Sequence, residues 1–172
     1  GGARRGRIGT GHGAIETPAF IPVGTLGAVK GITPDNLESI GAEIMLSNLY
    51  HLAVRPGIQT ISELGGLHAF TGWCRPLLTD SGGFQVMSLA PLRKVDEDGV
   101  TFRNHVDGGA LRFTAESVVA MQRALGVDIA MVLDECPPWP AEPAAVAAAT
   151  ERTRRWAERA RNAWESTANR VP

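Results

Sequence analysis

Pro76-Leu77-Leu78-Thr79-Asp80-Ser81-Gly82-Gly83-Phe84-Gln85 is a short apolar run that breaks at once into a carboxylate, a hydroxyl and two glycines. The run has the length of a buried strand, and the punctuation behind it belongs to a loop. The same grammar recurs along the chain. Ala19–Val23 reads as a strand closing at Gly24-Thr25, Glu43–Leu46 as one closing at Ser47-Asn48, and Asp128–Leu133 as one closing at Asp134-Glu135-Cys136. Asp128–Leu133 is continuously apolar after its first residue, the pattern of a strand buried on both faces. Helix signals lie between these runs. Thr33 caps a helix that Pro34 begins and Gly41 stops, and Pro56 begins one that reaches Leu64 and halts at Gly65-Gly66. Thr114 caps a third, running to Leu125 before Gly126. A last helix runs from Pro143 to about Trp164 and puts Trp156, Ala160 and Trp164 on one face. Arg93–Arg103 breaks the rhythm with two extended runs around Asp96-Glu97-Asp98-Gly99, the composition of a hairpin. Strand and helix otherwise alternate, which predicts an α/β fold with a parallel sheet and helices outside it.

Composition sets the outer limits. The chain has 172 residues, 44% hydrophobic and 20% charged, the profile of a globular protein. A chain of that length buries roughly 70% of its unfolded surface and needs no disulfides to hold a core. Seventeen Lys and Arg against eighteen Asp and Glu argue against a domain whose whole surface grips nucleic acid or an anionic membrane. No run of about 18 apolar residues predicts a membrane span, and the N-terminus lacks the apolar stretch of a signal peptide. It also lacks an initiating Met, so the chain is expected to be cut at that end. Cys74 and Cys136 stand far apart, with no CxxC pairing, and read as reduced thiols of a cytoplasmic protein. GxxxxGK, GxGxxG, GxSxG and HExxH patterns are all missing, so ATPase, dehydrogenase, serine hydrolase and zincin readings lose their usual support.

In parallel α/β folds functional residues gather at the carboxyl ends of strands. Asp80, followed by Ser81-Gly82-Gly83, reads either as an acid/base or base-recognition carboxylate or as a cap on the next turn. Asp134, at the end of the apolar run, has the chemistry to accept two hydrogen bonds from an amidine-like edge such as guanine's N1–H and N2–H₂. Glu135 faces the other way and is expected in an ion pair. Phe84 is either a stacking platform for a planar base or a core residue, and Gln85 either bonds a ligand or bridges two loops. Asn48 is a candidate for holding a carboxylate, and Cys136 a further supporting residue. His51 and Arg55 read as a helix-surface pair in preference to a phosphate contact. His12, His68 and His105 share no ligand spacing, and no metal site is expected in this chain. The run Arg152, Arg154, Arg155, Arg159 and Arg161 is interleaved with Glu151, Glu158 and Glu165, as on a solvated helix face.

Five segments together resemble the bacterial tRNA-guanine transglycosylases, also called queuine tRNA-ribosyltransferases. They are Thr17–Thr25, Asn48–Leu52, Thr79–Met87, Val106-Asp107-Gly108 and Asp134-Glu135-Cys136. The likeness runs in order from about Ala3 to Trp164, and Asp80–Leu89 is its most specific part. The resemblance implies a TIM barrel, of which this chain would supply about the first half, with a hairpin excursion over about 93–113. It implies exchange of guanine at the anticodon wobble position for a 7-deazaguanine base, in bacteria the aminomethyl precursor of queuosine. One carboxylate would attack the ribose C1′ and another manage the proton on the base, as in retaining glycosidases, with the nucleotide turned out of its stack. Asp80 takes the acid/base role and Asp134 reads the purine edge. Ser81, Gly82, Gly83 and Phe84 line the base pocket, with Phe84 stacking on the ring.

The family's nucleophilic aspartate and its zinc site of three Cys and one His are expected beyond Pro172, and Asp107 does not replace the nucleophile. The expected reading is therefore the N-terminal half of a longer enzyme, inactive alone, binding no cofactor itself, with zinc in the missing C-terminal part. Expected partners are tRNAs that accept aspartate, asparagine, histidine or tyrosine, a free 7-deazaguanine and a second copy in a homodimer, with no membrane and a cytoplasmic location. The alternative is a non-catalytic base- or tRNA-binding subunit that complements a second chain. An unrelated glycoside hydrolase is a weaker third reading.

Overall fold

The computed structural model describes residues 2–88, 93–104, 106 and 108–168. The chain divides into two compact units, Gly1–Asp80 with Gln122–Met131, and Ser81–Met121 with Val132–Pro172.

The first unit opens with a hairpin, β1 (Gly6–Thr10) and β2 (Gly13–Thr17), turned by Gly11 and His12. It continues through α1 (Pro34–Ser39), β3 (Met45–Ser47), the short helices α2 (Leu49–Val54), α3 (Ile58–Glu63) and α4 (Gly66–Thr71), and β4 (Leu77–Thr79). Strand β8 (Ile129–Ala130) returns from later in the chain to complete a parallel sheet in the order β3-β4-β8. Met45 lies opposite Leu77 and Ser47 opposite Thr79; Leu78 lies opposite Ile129. Thr33 caps α1 by accepting the Asn36 N–H at 3.3 Å, with Pro34 at the first helical position, where its missing N–H costs nothing. Ile15, Ile44 and Leu78 form a buried cluster, with Ile21, Leu46 and Ile129 packed against it. Trp73 is fully buried and donates its indole N–H to Pro76 O at 3.1 Å, tying the end of α4 to the start of β4.

Two expected strands differ from the reading of the sequence. Ala19–Val23 makes only one parallel bridge, Val23 to Leu46, with Gly24 N–H on Leu46 O at 2.7 Å and Leu46 N–H on Pro22 O at 2.9 Å. Pro18 and Pro22 have no N–H to give, so a longer ladder cannot form there. The run Asp128–Leu133 is a strand only over Ile129–Ala130, and Met131 and Val132 are exposed. As the last strand in the order, β8 has a ladder on one side only, and the Met131 carbonyl accepts the Gln122 side-chain amide at 2.9 Å instead of a strand N–H.

The second unit holds α5 (Gly83–Ser88) and an antiparallel sheet of β5 (Arg93–Val95), β6 (Gly99–Arg103) and β7 (Ala110–Thr114). The β5–β6 turn is built on Asp96, whose Oδ1 accepts the N–H groups of Asp98 and Gly99, both at 3.0 Å. The Arg112 guanidinium grips the same carboxyl and holds it down to about 2. Phe102 and Phe113 meet edge to face across β6 and β7, with ring centroids 5.0 Å apart. Helix α6 (Ala115–Leu125) starts on a reciprocal cap: Ser117 N–H donates to Thr114 Oγ1 at 3.1 Å, and Thr114 N–H to Ser117 Oγ at 2.8 Å.

The long helix α7 (Pro143–Ala168) buries Trp156 completely and Ala160 almost so, but Trp164, expected on the same face, is 40% exposed. Among the described residues, the contacts of α7 with Glu97 come from Arg152, Arg155, Trp156 and Arg159, all N-terminal to Trp164. The Trp156 indole N–H reaches Glu97 O at 2.8 Å, which pins α7 to the β5–β6 turn. Every arginine of the expected run has a carboxylate partner: Arg152 and Arg155 meet Glu97, Arg159 meets Glu116, and Arg154 and Arg161 pair along the helix. Exposed ion pairs of this kind are screened by water and weak, so the buried tryptophan is the anchor. Among the described residues, no helix is long and apolar enough to cross a membrane.

Replacing Trp156 by Ala is expected to cost about 3–5 kcal/mol in urea unfolding, as large-to-small changes at fully buried aromatics do. Trp156→Phe, which loses the bond to Glu97 O and part of the indole's buried volume, is expected to cost about 2 kcal/mol. A loss below that for Trp156→Ala would remove α7's anchor from the account.

Candidate functional site

Strand β4 is sandwiched between β3 and β8, and Leu77, Leu78 and Thr79 are all buried. Its first position free to carry a charge is the residue that follows. Asp80 still belongs to the sheet by its backbone, donating its N–H to Ser47 O at 3.3 Å, and its carboxylate stands at the carboxyl end of the parallel strands. Two neutral donors from the neighbouring strand end hold it: Asn48 Nδ2 on Oδ2 at 2.5 Å and Leu49 N–H on Oδ1 at 2.8 Å. Asn48 is therefore the partner of this carboxylate. Behind it, Gln122 is buried on α6 and directs its side-chain amide at Met131 O and, at 3.5 Å, at Asp80 O. Nothing in the sequence marks Gln122, one polar residue on an amphipathic helix.

The second unit builds a separate cradle around Asp134. Ser81 is buried and donates its hydroxyl to Asp134 Oδ1 at 2.9 Å while accepting the Gly83 N–H at 3.3 Å. Cys136 donates its S–H to Asp134 Oδ2 at 3.0 Å. Burial, and then the bond to Asp134, push the Cys136 thiol up to about 11. Gly83 lies so close that a Cβ there would sit 2.8 Å from Asp134 O and 2.9 Å from its carboxyl carbon, overlapping the Oδ1 atom outright. Gly82 has φ +83°, the left-handed turn that lets the chain pass from the strand end into α5. Phe84, on the first turn of α5, is 62% exposed, so it is not a core residue, and Gln85 is half-buried beside it in sequence. Glu135 is turned to Arg152, as an ion-pairing residue, and its N–H donates to Thr153 Oγ1 at 3.0 Å.

Each carboxylate oxygen has two acceptor positions, and in both Asp80 and Asp134 the described residues take one per oxygen. What remains can take a proton, or accept paired N–H donors from a planar base. Among the described residues neither Asp80 nor Asp134 has a Lys or Arg within ion-pair distance. His105 and Asp107 lie outside the described residues. His51 packs its ring against Tyr50, centroids 5.0 Å apart.

The structure also gathers a group that spacing could not reveal. His12, His68 and Asp128, each from a different segment, bring their side-chain N and O atoms within 4.8 Å of one another. The spacing of these residues in the sequence predicts no metal-ligating set here.

With a thiol pushed up to about 11, only about one Cys136 in a thousand is thiolate at pH 8, so alkylation there is expected to lag far behind that of exposed Cys74. Asp134→Asn removes the hydrogen-bonded charge, lowers the thiol's value and speeds labelling of Cys136, read by mass spectrometry of the alkylated peptides. Gly83→Ala is expected to act similarly, by displacing Asp134 from its two donors. Equal labelling rates at Cys136 in wild type and Asp134→Asn would contradict the cradle.

Comparison with known proteins bears on what these carboxylates belong to. The family model described as queuine tRNA-ribosyltransferase matches residues 1–171. A queuine tRNA-ribosyltransferase of Desulforudis audaxviator is 59% identical over 164 residues, covering 95% of this chain and 44% of that protein. One from Thermus thermophilus is 55% identical over 159 residues, with 92% and 41% covered, and one from Koribacter versatilis 53% identical over 172 residues, with 100% and 45% covered. The chain thus spans less than half the length of the curated relatives it matches. A family match over almost every residue, with relatives more than half identical along the same stretch, establishes that this chain belongs to the queuine tRNA-ribosyltransferase family.

Proposed function

We propose that this chain supplies the base-handling half of a tRNA-guanine transglycosylase, which exchanges guanine at the anticodon wobble position for a 7-deazaguanine base. The observation that carries the reading is that Asp80 and Asp134 are each held by two neutral donors and by no cation among the described residues. A carboxylate that stabilises a fold is held by Lys or Arg or by backbone N–H groups at caps and turns. One that must gain and lose a proton, or take donors from a substrate, is better fixed by neutral groups, which leave its charge available.

Asp80 serves as general acid/base, giving a proton to the departing guanine and taking one from the incoming base, with Asn48 and the Leu49 N–H setting its orientation. The attacking carboxylate, which bonds the ribose C1′ as the C1′–N9 bond breaks, comes from a residue outside these 172; N9 of the incoming 7-deazaguanine, losing its proton, then bonds C1′ as the C1′–carboxylate bond breaks and frees the carboxylate. Asp134 accepts the N1–H and N2–H₂ edge of the purine, and Ser81 and Cys136 hold it for that task. Phe84 offers its exposed ring to the base face, Gly82 and Gly83 line the pocket beside it, and the missing Cβ of Gly83 leaves room for Asp134.

The parallel order β3-β4-β8, with Val23 bridging to Leu46, supports placing these strands as the opening strands of a TIM barrel; the described residues form no closed barrel. Partners on this reading are tRNAs accepting aspartate, asparagine, histidine or tyrosine, in a cytoplasmic homodimer. The three-Cys, one-His zinc set of the family does not fit this chain, whose two cysteines are exposed Cys74 and Cys136, the latter committed to Asp134. No step here runs through zinc.

In the longer form that its relatives have, Asp80→Asn is expected to lower exchange of labelled guanine into tRNA by roughly 10²–10⁴-fold with tRNA binding retained, as loss of a general acid/base does. The purified 172-residue chain is expected to show no exchange. Turnover by that chain that Asp80→Ala abolishes would overturn the assignment of the nucleophile to another segment, and unchanged exchange in Asp80→Asn would overturn the role of Asp80.

A further inference from the structure

We propose that His12, His68 and Asp128 form a binding site for a divalent cation of the zinc class, at the end of the parallel sheet opposite Asp80. Asp128 stands directly before β8 and accepts the N–H of Leu77, first residue of β4, at 2.9 Å, whereas Asp80 follows the last residue of β4. His12 comes from the β1–β2 turn and His68 from α4. Three segments remote in sequence therefore converge on one carboxylate, with His12 Nδ1 at 2.9 Å from Oδ1 and His68 Nε2 at 3.3 Å from Oδ2.

The geometry of the cluster points to a cation. The Asp128 side chain is 3% exposed, and its only ion-pair partners among the described residues are the two imidazoles. Its Oδ1 also accepts the His12 backbone N–H at 3.3 Å and its Oδ2 the Leu77 N–H at 2.9 Å, which fix the carboxylate beside the two rings, while His68 Nε2 lies 3.2 Å from Arg75 O as well. Two imidazole nitrogens and one carboxylate oxygen are the donor set that zinc-class ions take, with water in the fourth position.

The rings of His12 and His68 stack with centroids 3.6 Å apart and planes 17° from parallel, so their nitrogens approach the carboxylate side by side. An ion bound by both must splay them. His12 is the one able to move, since it sits on a two-residue turn with 43% of its side chain exposed, whereas His68 is packed on its helix and close to Arg75 O.

The test uses the full chain, stripped with a chelator and titrated with zinc chloride by calorimetry, and with cobalt(II) for its visible spectrum. One equivalent of zinc, a rise in melting temperature on binding and the intense visible bands of four-coordinate cobalt are expected. Asp128→Asn and His68→Ala should lose that equivalent. His12→Ala, at an exposed turn where folding is least at risk, should weaken binding by more than the roughly 10–100-fold that loss of a ligand's outer hydrogen-bond partner costs. Cys74→Ser should bind as wild type. In the longer form of the family the readout is the difference of one equivalent between wild type and His12→Ala. Absence of uptake at equimolar zinc, or uptake unchanged in His12→Ala, would overturn the site and leave the cluster as a proton-sharing contact.

Discussion

A strand with parallel partners on both sides has no place for a charge except at its end. Leu77, Leu78 and Thr79 are enclosed by β3 and β8, and everything polar about this segment is pushed to the residues that follow. Asp80 inherits the ladder through its N–H on Ser47 O, and that same bond brings it level with the end of β3, where Asn48 and the Leu49 N–H are waiting. The carboxylate is thus positioned by sheet register: Ser47 opposite Thr79 places Asn48 opposite Asp80. A one-residue slip would turn Leu78 out of its cluster with Ile15 and Ile44, so the apolar core and the carboxylate's partners are specified together.

Asp134 is fixed by different means, and the contrast is informative. No strand register holds it, since β8 ends at Ala130. A hydroxyl, a thiol and the missing Cβ of Gly83 do so instead, within the second unit. A side-chain cradle of this kind fixes the carboxylate in place with no Lys or Arg partner among the described residues, at the cost of tight constraints on small residues. Gly83 tolerates no side chain, Ser81 is spent on a single acceptor, and Cys136 is held as a protonated thiol with its reactivity suppressed.

Much of this was legible in the residues. The run Leu77–Thr79 followed by Asp-Ser-Gly-Gly announces both a buried strand and a functional end, because apolar continuity and glycine punctuation are local signals. Other features were hidden for physical reasons. β1 is largely exposed and β2 mostly half-buried, and each carries one isoleucine on a polar background, so no strand periodicity shows. Gly65-Gly66 reads as a stop, yet it both ends α3 and starts α4. Gly66, at φ +88°, lies so close to Leu125 that a Cβ would come within 3.0 Å of its carbonyl oxygen. Pro18 and Pro22 sit inside an apolar run and remove the hydrogen bonds that would have made it a strand. Asn48 could be read as a carboxylate's partner, but which carboxylate follows from parallel pairing alone. Gln122 and the group of His12, His68 and Asp128 depend on contacts between distant segments, which no local pattern encodes.

The proposed roles of Asp80 and Asp134 toward a purine base have their sharpest test at Asp134. Calorimetric binding of a free 7-deazaguanine base should be measured on the longer enzyme carrying this segment, wild type against Asp134→Asn. An amide in place of the carboxylate keeps shape but offers one acceptor where the purine edge presents two donors. The account predicts a loss of about 1–3 kcal/mol, roughly 5–150-fold in affinity. Equal affinity in the two proteins would contradict it.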